Sequence, residues 1–323
     1  MYIGIDLGGT NVAGAIVGKN GEILKRAEIP TATDGGAKSV VDGLVNVCKK
    51  LLDGDSEHVG ASPLAIGIGV PGAVNNNTGE VIFTPNLHIS GVNIVSRLRD
   101  VFTYPVYLGN DANCAALGEV IAGGARGARS VVFVTLGTGV GGGIVFDGRL
   151  YTGINEAAGE LGHIVIFGGG RECSCGRLGC WERYASATGL RITAEEFMGT
   201  QKDSLLWELC GGNSANLDGR MIFDAYRAGD NAAMLTIEQY VEHLAMGIID
   251  IINIFEPEMI CLGGGISNSW DCLEEPLNVA IDAQKYMRYA QHAPQTRLVK
   301  AALGNDAGII GAAMLGIQLS TGI

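Results

Sequence analysis

The chain has no excess of positive charge. Its 323 residues carry 22 Lys and Arg against 34 Asp and Glu, a formal net charge of −12, and its isoelectric point is near 4.9. Nucleic acids and anionic membrane surfaces are held by clustered cations, so neither is an expected partner. A long apolar run is also missing. The most apolar late segment, Leu244 to Phe255, is interrupted by Asp250 and Asn253 and ended by Pro257, which predicts a buried helix and no membrane span. The opening MYIGIDLGGT lacks the basic region of a secretory leader, so a cytoplasmic location is expected. There is no linker rich in Pro or Ser and no low-complexity segment.

Glycine and apolar residues are plentiful. The 50 glycines are about double ordinary usage and point to many tight turns and close backbone approaches. A hydrophobic content of 47% with mean hydropathy +0.25 predicts a compact globular chain. Its length suits one large or two ordinary domains.

Tyr2–Leu7, Val12–Val17 and Glu22–Ile29 are apolar or alternating runs split by GGTN and GKNG, which reads as a three-strand meander. A helix is expected from about Lys38 to Leu52, a strand over Ala65–Val70, another over Val106–Gly109, then a helix over Ala112–Ala122 capped by Asn110 or Asp111. At Val132 the pattern restarts. Leu136 matches Leu7, Gly137 matches Gly8 and Gly143 matches Gly14, a constant offset of 129. Two related halves are therefore expected, each opening on a hairpin with a glycine turn. A helix over Gln239–Phe255, a strand at Met259–Leu262, the loop GGGIS, a further helix, a strand at Arg297–Ala301 and a helix from Ile309 complete the chain.

Both glycine turns, DLGGTN (Asp6–Asn11) and LGTGVGGG (Leu136–Gly143), lead into strands and lack the Gly-Lys-Ser/Thr of a P-loop. Successive backbone N–H groups in such turns can nonetheless cradle phosphate oxygens. Asp6 adds a carboxylate where magnesium would meet phosphate. Asp111 follows a strand and opens a helix, so it reads either as a helix cap or as a base at the carboxyl end of a sheet.

His163, Cys173, Cys175 and Cys180 form a Cys₃His set with glycines at the bends, the donor set of tetrahedral zinc. The competing reading is unligated thiols, or one disulfide with a spare thiol. Disulfides suit an exported chain, and export is not expected here. Glu160 and Glu182 flank the cluster, as in a metal-tied loop that holds polar groups around a ligand.

Taken together, these motifs resemble the ROK family (repressors, open reading frames, kinases) of sugar kinases, its bacterial glucokinase branch most closely. GIDLGGTN, GVPGAV (Gly69–Val74), TPNL (Thr84–Leu87), GNDANCAALGE, LGTGVGGG, AGELGH, CxCGxxGCWE and ALGNDAGIIGAA (Ala302–Ala313) carry the resemblance across essentially the whole chain. It implies an α/β, actin-like ATPase (ribonuclease H-like) duplicated fold of two domains, 1–112 plus 306–323 and 113–305, with an interdomain cleft and a zinc-bound loop. It implies Asp111 as the catalytic base. Asn110, Glu160, His163 and Glu182 would bind sugar hydroxyls, with Asn86 and the Gly72 backbone as further contacts. Gly8, Gly9, Thr10, Asn11, Thr138 and Gly139 would face phosphates beside Asp6, and Gly263, Gly264 and Gly265 the nucleoside. ATP, Mg²⁺ and a structural Zn²⁺ are the implied cofactors, and a homo-oligomer, dimer or tetramer, the implied assembly. D-Glucose is the expected substrate; N-acetylmannosamine, fructose, mannose or allose are alternatives within the family. The family's sugar-responsive repressors carry a helix-turn-helix ahead of the DLGGT turn, which here starts at Asp6, so a regulator is not expected.

Overall fold

The computed structural model describes residues 1–53, 63–84, 87, 89–286 and 295–320. It forms two compact units: Met1–Phe133 with Gly143–Gly159 and Ala301–Ile323, and Val134–Gly142 with Glu160–Lys300.

The first unit opens with the expected meander, β1 (Tyr2–Leu7), β2 (Asn11–Val17) and β3 (Ile23–Pro30). All three pair antiparallel. β1 is buried almost throughout, whereas β3 alternates between half-buried and exposed positions, as an edge strand with one wet face does. Helix α1 (Ala37–Leu52) buries Val40, Val41, Leu44, Val47, Cys48 and Leu51, spaced by three and four so that they share one face. It crosses to β4 (Ile66–Val70), which runs parallel to β1.

A small antiparallel sheet follows, β5 (Ala73–Asn75), β6 (Glu80–Phe83) and β7 (Ser90–Asn93), then α2 (Ile94–Arg99), capped by Asn93. The sequence reading assigns no element there. Its signal is the Asn77-Thr78-Gly79 turn ahead of the short run Glu80–Phe83. β8 (Val106–Asn110) joins parallel to β4, giving the order β3-β2-β1-β4-β8. Helix α3 (Asp111–Ala122) leaves β8 directly.

The chain passes between the units within β9 (Ser130–Leu136) and β10 (Val140–Phe146). β11 (Arg149–Leu150) follows, then α4 (Glu182–Ala185), α5 (Ala187–Thr200), α6 (Leu205–Leu209), α7 (Gly219–Arg227), α8 (Asn231–Phe255), β12 (Met259–Gly263), α9 (Trp270–Gln284), β13 (Arg297–Lys300) and α10 (Asp306–Ser320). Helix α8 begins earlier than the apolar run suggests, because the Asp230 carboxylate caps it by accepting from the Ala233 amide at 2.9 Å. Helix α10 likewise starts at Asp306, ahead of the expected Ile309.

The duplication is present. Asn11–Val17 moved by 129 positions falls on Val140–Phe146, the bounds of β10. The second sheet runs β11-β10-β9-β12-β13, the same order as the first when elements are taken in turn. The expected domain boundaries at 112/113 and 305/306 are displaced. Helix α3 packs on α10, β4 and β8 and so belongs to the first unit, which the chain re-enters at Ala301. Gly118 faces the Ala307 backbone and Gly311 the Cys114 backbone, so a side chain at either would collide with the other helix. Close approach of α3 and α10 fixes the division. Among the described residues no helix is long and apolar enough to cross a membrane.

Candidate active site

In the first unit the relevant groups lie at the carboxyl ends of the parallel strands. Asp6 is opposite Gly69 on β4, and Gly69 is opposite Gly109 on β8. Gly308, in the first turn of α10, faces the Asp6 carboxyl; a Cβ there would lie in ordinary contact with it, at 3.4 Å. Burial, and then the Asp111 carboxylate, push the Asp6 carboxyl up from its ordinary 3.8 to about 6. Asp6 and Asp111 therefore share one electrostatic neighbourhood.

Asn110, and not Asp111, caps α3. Its Oδ1 accepts from the Asn113 amide at 3.1 Å, while its Nδ2 donates to the Gly72 carbonyl at 3.2 Å. Gly72 has φ 141°, and a side chain there would run into the Phe83 carbonyl. Asp111 is the first residue of the helix, and its Oδ1 accepts from the Ala112 amide at 2.9 Å. The open choice between the two caps is thus resolved, and Asp111 is relieved of the capping role. Asn86, an expected sugar contact, lies outside the described residues.

The first glycine turn is closed by the Gly8 amide donating to the Asn11 carbonyl at 2.9 Å. Gly9, Thr10 and Asn11 are exposed. Among the described residues the Gly9 and Thr10 amides make no hydrogen bond.

In the second unit the equivalent turn is Gly137–Gly139. The Gly137 amide donates to the Gly139 carbonyl at 3.0 Å, and the Glu182 Oε2 accepts from the Val140 amide at 3.0 Å. The Thr138 and Gly139 amides are without a partner among the described residues. They sit 129 positions after Gly9 and Thr10. Each turn thus offers two successive amides able to meet an anion. Gly264, at φ 82°, lies against the Leu136 backbone, so the Gly263–Gly265 loop adjoins this second turn.

The Cys/His set converges. The donor atoms of His163, Cys173, Cys175 and Cys180 lie within 4.8 Å of one another. His163 Nδ1 is 3.7 Å from Cys173 Sγ, and Cys175 Sγ is 3.6 Å from Cys180 Sγ. Ligands about 2.0–2.3 Å from a tetrahedral zinc stand roughly 3.5–3.8 Å apart, which the His163–Cys173 and Cys175–Cys180 separations match, so the donor set suits zinc. All eight cysteines are free thiols, which removes the disulfide reading. Glu160 is exposed and precedes the 3₁₀ turn Leu161–His163, its carbonyl accepting from the His163 amide at 3.1 Å. Arg177 donates to the His163 carbonyl at 3.0 Å. Glu182 Oε1 is 4.0 Å from Cys173 Sγ, so Glu182 touches both the cluster and the glycine turn.

Motif reading misses the support behind this loop. The Arg171 amide donates to the Tyr184 hydroxyl at 2.6 Å, and its guanidinium lies 4.7 Å from the Tyr184 ring centroid. Phe167, Tyr184 and His243 meet edge to face. Burial, with Arg171 second, pushes the His243 imidazole down to about 4, so it is neutral at pH 7. Trp181, fully buried, donates to the His243 carbonyl at 2.9 Å. The only sequence signal was Trp181 beside Cys180.

The model of the ROK family matches residues 2–318. A glucokinase of Halalkalibacterium halodurans is 38% identical over 97% of this chain and 94% of its own. A glucokinase of Thermotoga maritima is 36% identical over 97% and 96%. Among solved structures, a ROK family glucokinase from Streptomyces griseus, in complex with glucose and AMPPNP, superposes with TM-score 0.78 at 30% identity, covering 98% of this chain and 99% of that one.

Proposed function

The chain belongs to the ROK family, and we propose that within it the protein is an ATP-dependent hexose kinase that phosphorylates D-glucose at O6. The observation that carries this reading is Asp111: a carboxylate at the carboxyl end of the parallel strand β8, sharing the electrostatic neighbourhood of Asp6, with the capping duty taken by Asn110. Full-length similarity to glucokinases supports the substrate.

Phosphoryl transfer to a hydroxyl needs one group to orient the nucleophile and take its proton, and otherwise positioning and charge stabilisation. Asp111 accepts the O6 proton. Asn110, Glu160, His163 and Glu182 hold the sugar hydroxyls, with Asn86 and the Gly72 backbone as further contacts. The amides of Gly9, Thr10, Thr138 and Gly139 receive phosphate oxygens, flanked by Gly8 and Asn11, and the Gly263–Gly265 loop lies along the nucleoside. Asp6 is the residue to hold Mg²⁺: a carboxyl raised to about 6 by burial and a neighbouring anion is one a cation stabilises. Magnesium, when bound, supplies positive charge to the phosphates.

His163, Cys173, Cys175 and Cys180 hold one structural zinc, whose four protein ligands leave no open position. Zinc, when bound, fixes the loop that carries His163 and, two residues past Cys180, Glu182. Eight cysteines with no disulfide among them suit a cytoplasmic enzyme, and we assign it a homo-oligomeric state.

A coupled ADP-release assay over glucose, mannose, fructose, allose and N-acetylhexosamines tests the reading. Glucose is expected to give the highest kcat/KM. Another hexose tenfold better, about 1.4 kcal/mol of transition-state preference, overturns the glucose assignment and leaves the kinase. No ADP release with any sugar overturns the kinase.

A further inference from the structure

We propose that Thr31 and Thr188 are positioning residues that aim the phosphate-facing amides of the two glycine turns. The proposal rests on the kinase reading only for the identity of the anion as a nucleotide phosphate.

The argument starts from the peptide plane. In a trans peptide the C=O of one residue and the N–H of the next belong to one rigid unit and point in opposite directions. A bond that holds the carbonyl therefore sets the direction of the amide. In the second unit the Ala187 amide donates to the Gly137 carbonyl at 2.8 Å, and the Thr188 hydroxyl donates to the Thr138 carbonyl at 2.9 Å. Those two carbonyls share their peptides with the Thr138 and Gly139 amides, which have no partner among the described residues. Both carbonyls point at α5, so both amides point away from it.

The anchor is firm. Ser186 caps α5 by accepting from the Gly189 amide at 3.0 Å, and the Tyr240 hydroxyl donates to the Ala185 carbonyl at 2.6 Å. Glycine turns adopt many conformations when untethered. Here α5 restrains the turn at the Gly137 and Thr138 carbonyls, and Glu182 restrains it at the Val140 amide.

The first unit repeats the device with a different element. The Thr31 hydroxyl, just after β3, donates to the Gly8 carbonyl at 2.7 Å. That carbonyl shares its peptide with the Gly9 amide, again without a partner among the described residues. Gly9 and Thr138 are equivalent at the offset of 129, yet the threonines that brace their turns are not: Thr31 lies 23 residues after Gly8, and Thr188 lies 50 after Thr138. Thr31 holds the peptide that the Ala187 amide holds in the second unit, and Thr188 holds the one after it, so each turn has a threonine hydroxyl on one of its two peptides.

The test uses Thr31→Val and Thr188→Val, which keep shape and remove the hydroxyl, with Thr31→Ser and Thr188→Ser as the conservative partners. One neutral hydrogen bond corresponds to roughly a two- to tenfold change in binding. Each valine variant is expected to raise KM for MgATP by about that factor. KM for the hexose should change less than about twofold, and the serine variants should stay within about twofold of the parent. Calorimetric titration with inorganic tripolyphosphate gives a readout independent of turnover, and the valine variants should bind it more weakly by the same factor. An unchanged KM for MgATP and unchanged tripolyphosphate affinity in both folded valine variants overturns the inference. So does an equal rise in both KM values with a lowered melting temperature, which marks a general structural role. If one valine variant does not fold, the other carries the test. Failure of the parent to phosphorylate any hexose removes the kinase reading, while the tripolyphosphate titration still decides whether the threonines aim the amides.

Discussion

Replacing Asp111 by asparagine removes one negative charge and leaves the start of α3 otherwise intact. The cap is Asn110, whose bonds to the Asn113 amide at 3.1 Å and the Gly72 carbonyl at 3.2 Å do not involve residue 111. An asparagine Oδ1 can keep the bond that Asp111 accepts from the Ala112 amide. Two electrostatic effects of opposite sign remain. An anion in the first turn of a helix is stabilising by roughly 0.3–1 kcal/mol; its repulsion with Asp6, the second cause of the raised Asp6 carboxyl, is destabilising. The net change in stability should therefore lie within about 1 kcal/mol of zero. Catalysis is different, because an amide cannot take the proton from O6. General-base assistance is typically worth about 10²–10⁴-fold, or about 2.7–5.4 kcal/mol of barrier at about 1.36 kcal/mol per tenfold. The expected result is a kcat lowered by that factor, a glucose KM changed only a few-fold, and an urea midpoint close to the parent's. A variant with kcat within about threefold of the parent refutes the base assignment. A large loss of stability refutes the account of the α3 N-terminus.

The raised Asp6 carboxyl makes a stability prediction of definite sign. An acid whose folded pKa exceeds its unfolded value contributes stability below the unfolded value, here 3.8, and loses it as pH rises through about 6. Asp6→Asn, measured without magnesium or nucleotide, should therefore be more stable than the parent at pH 8 by about 1–3 kcal/mol, with the gap closing between pH 6 and pH 4. It should also bind MgATP poorly, and a variant less stable than the parent at pH 8 contradicts the assignment. For the metal, elemental analysis should find about one zinc per chain. Cys175→Ala should lose it, melt at lower temperature and bind glucose more weakly, because the loop also orients His163 and Glu182. Zinc-free protein with full activity and an unchanged melting temperature rules out the structural zinc.

Several features were legible in the chain itself because they depend on local chemistry. Strand-turn-strand alternation sets β1, β2, β9 and β10, and the offset of 129 carries the duplication, since a hairpin with a glycine turn is specified by neighbouring residues. The Cys₃His set was readable for the same reason: donor type and short spacing nearly determine what the loop can hold. Other features were decided in space. Asn110 and Asp111 are both good caps by residue type, and only the backbone direction at the end of β8 chose Asn110. Helix α3 was expected beyond the first domain, yet it joins the first unit because Gly118 and Gly311 let it pack on α10, about 190 residues later in the chain. Glu182 bonds the Val140 amide 42 positions earlier, and Thr188 bonds the Thr138 carbonyl 50 positions earlier. Hydrogen bonds act over about 3 Å, and separation along the chain does not reveal which groups the fold brings that close. The sequence therefore specified the pieces that carry the chemistry, and tertiary packing decided which atoms hold them in place.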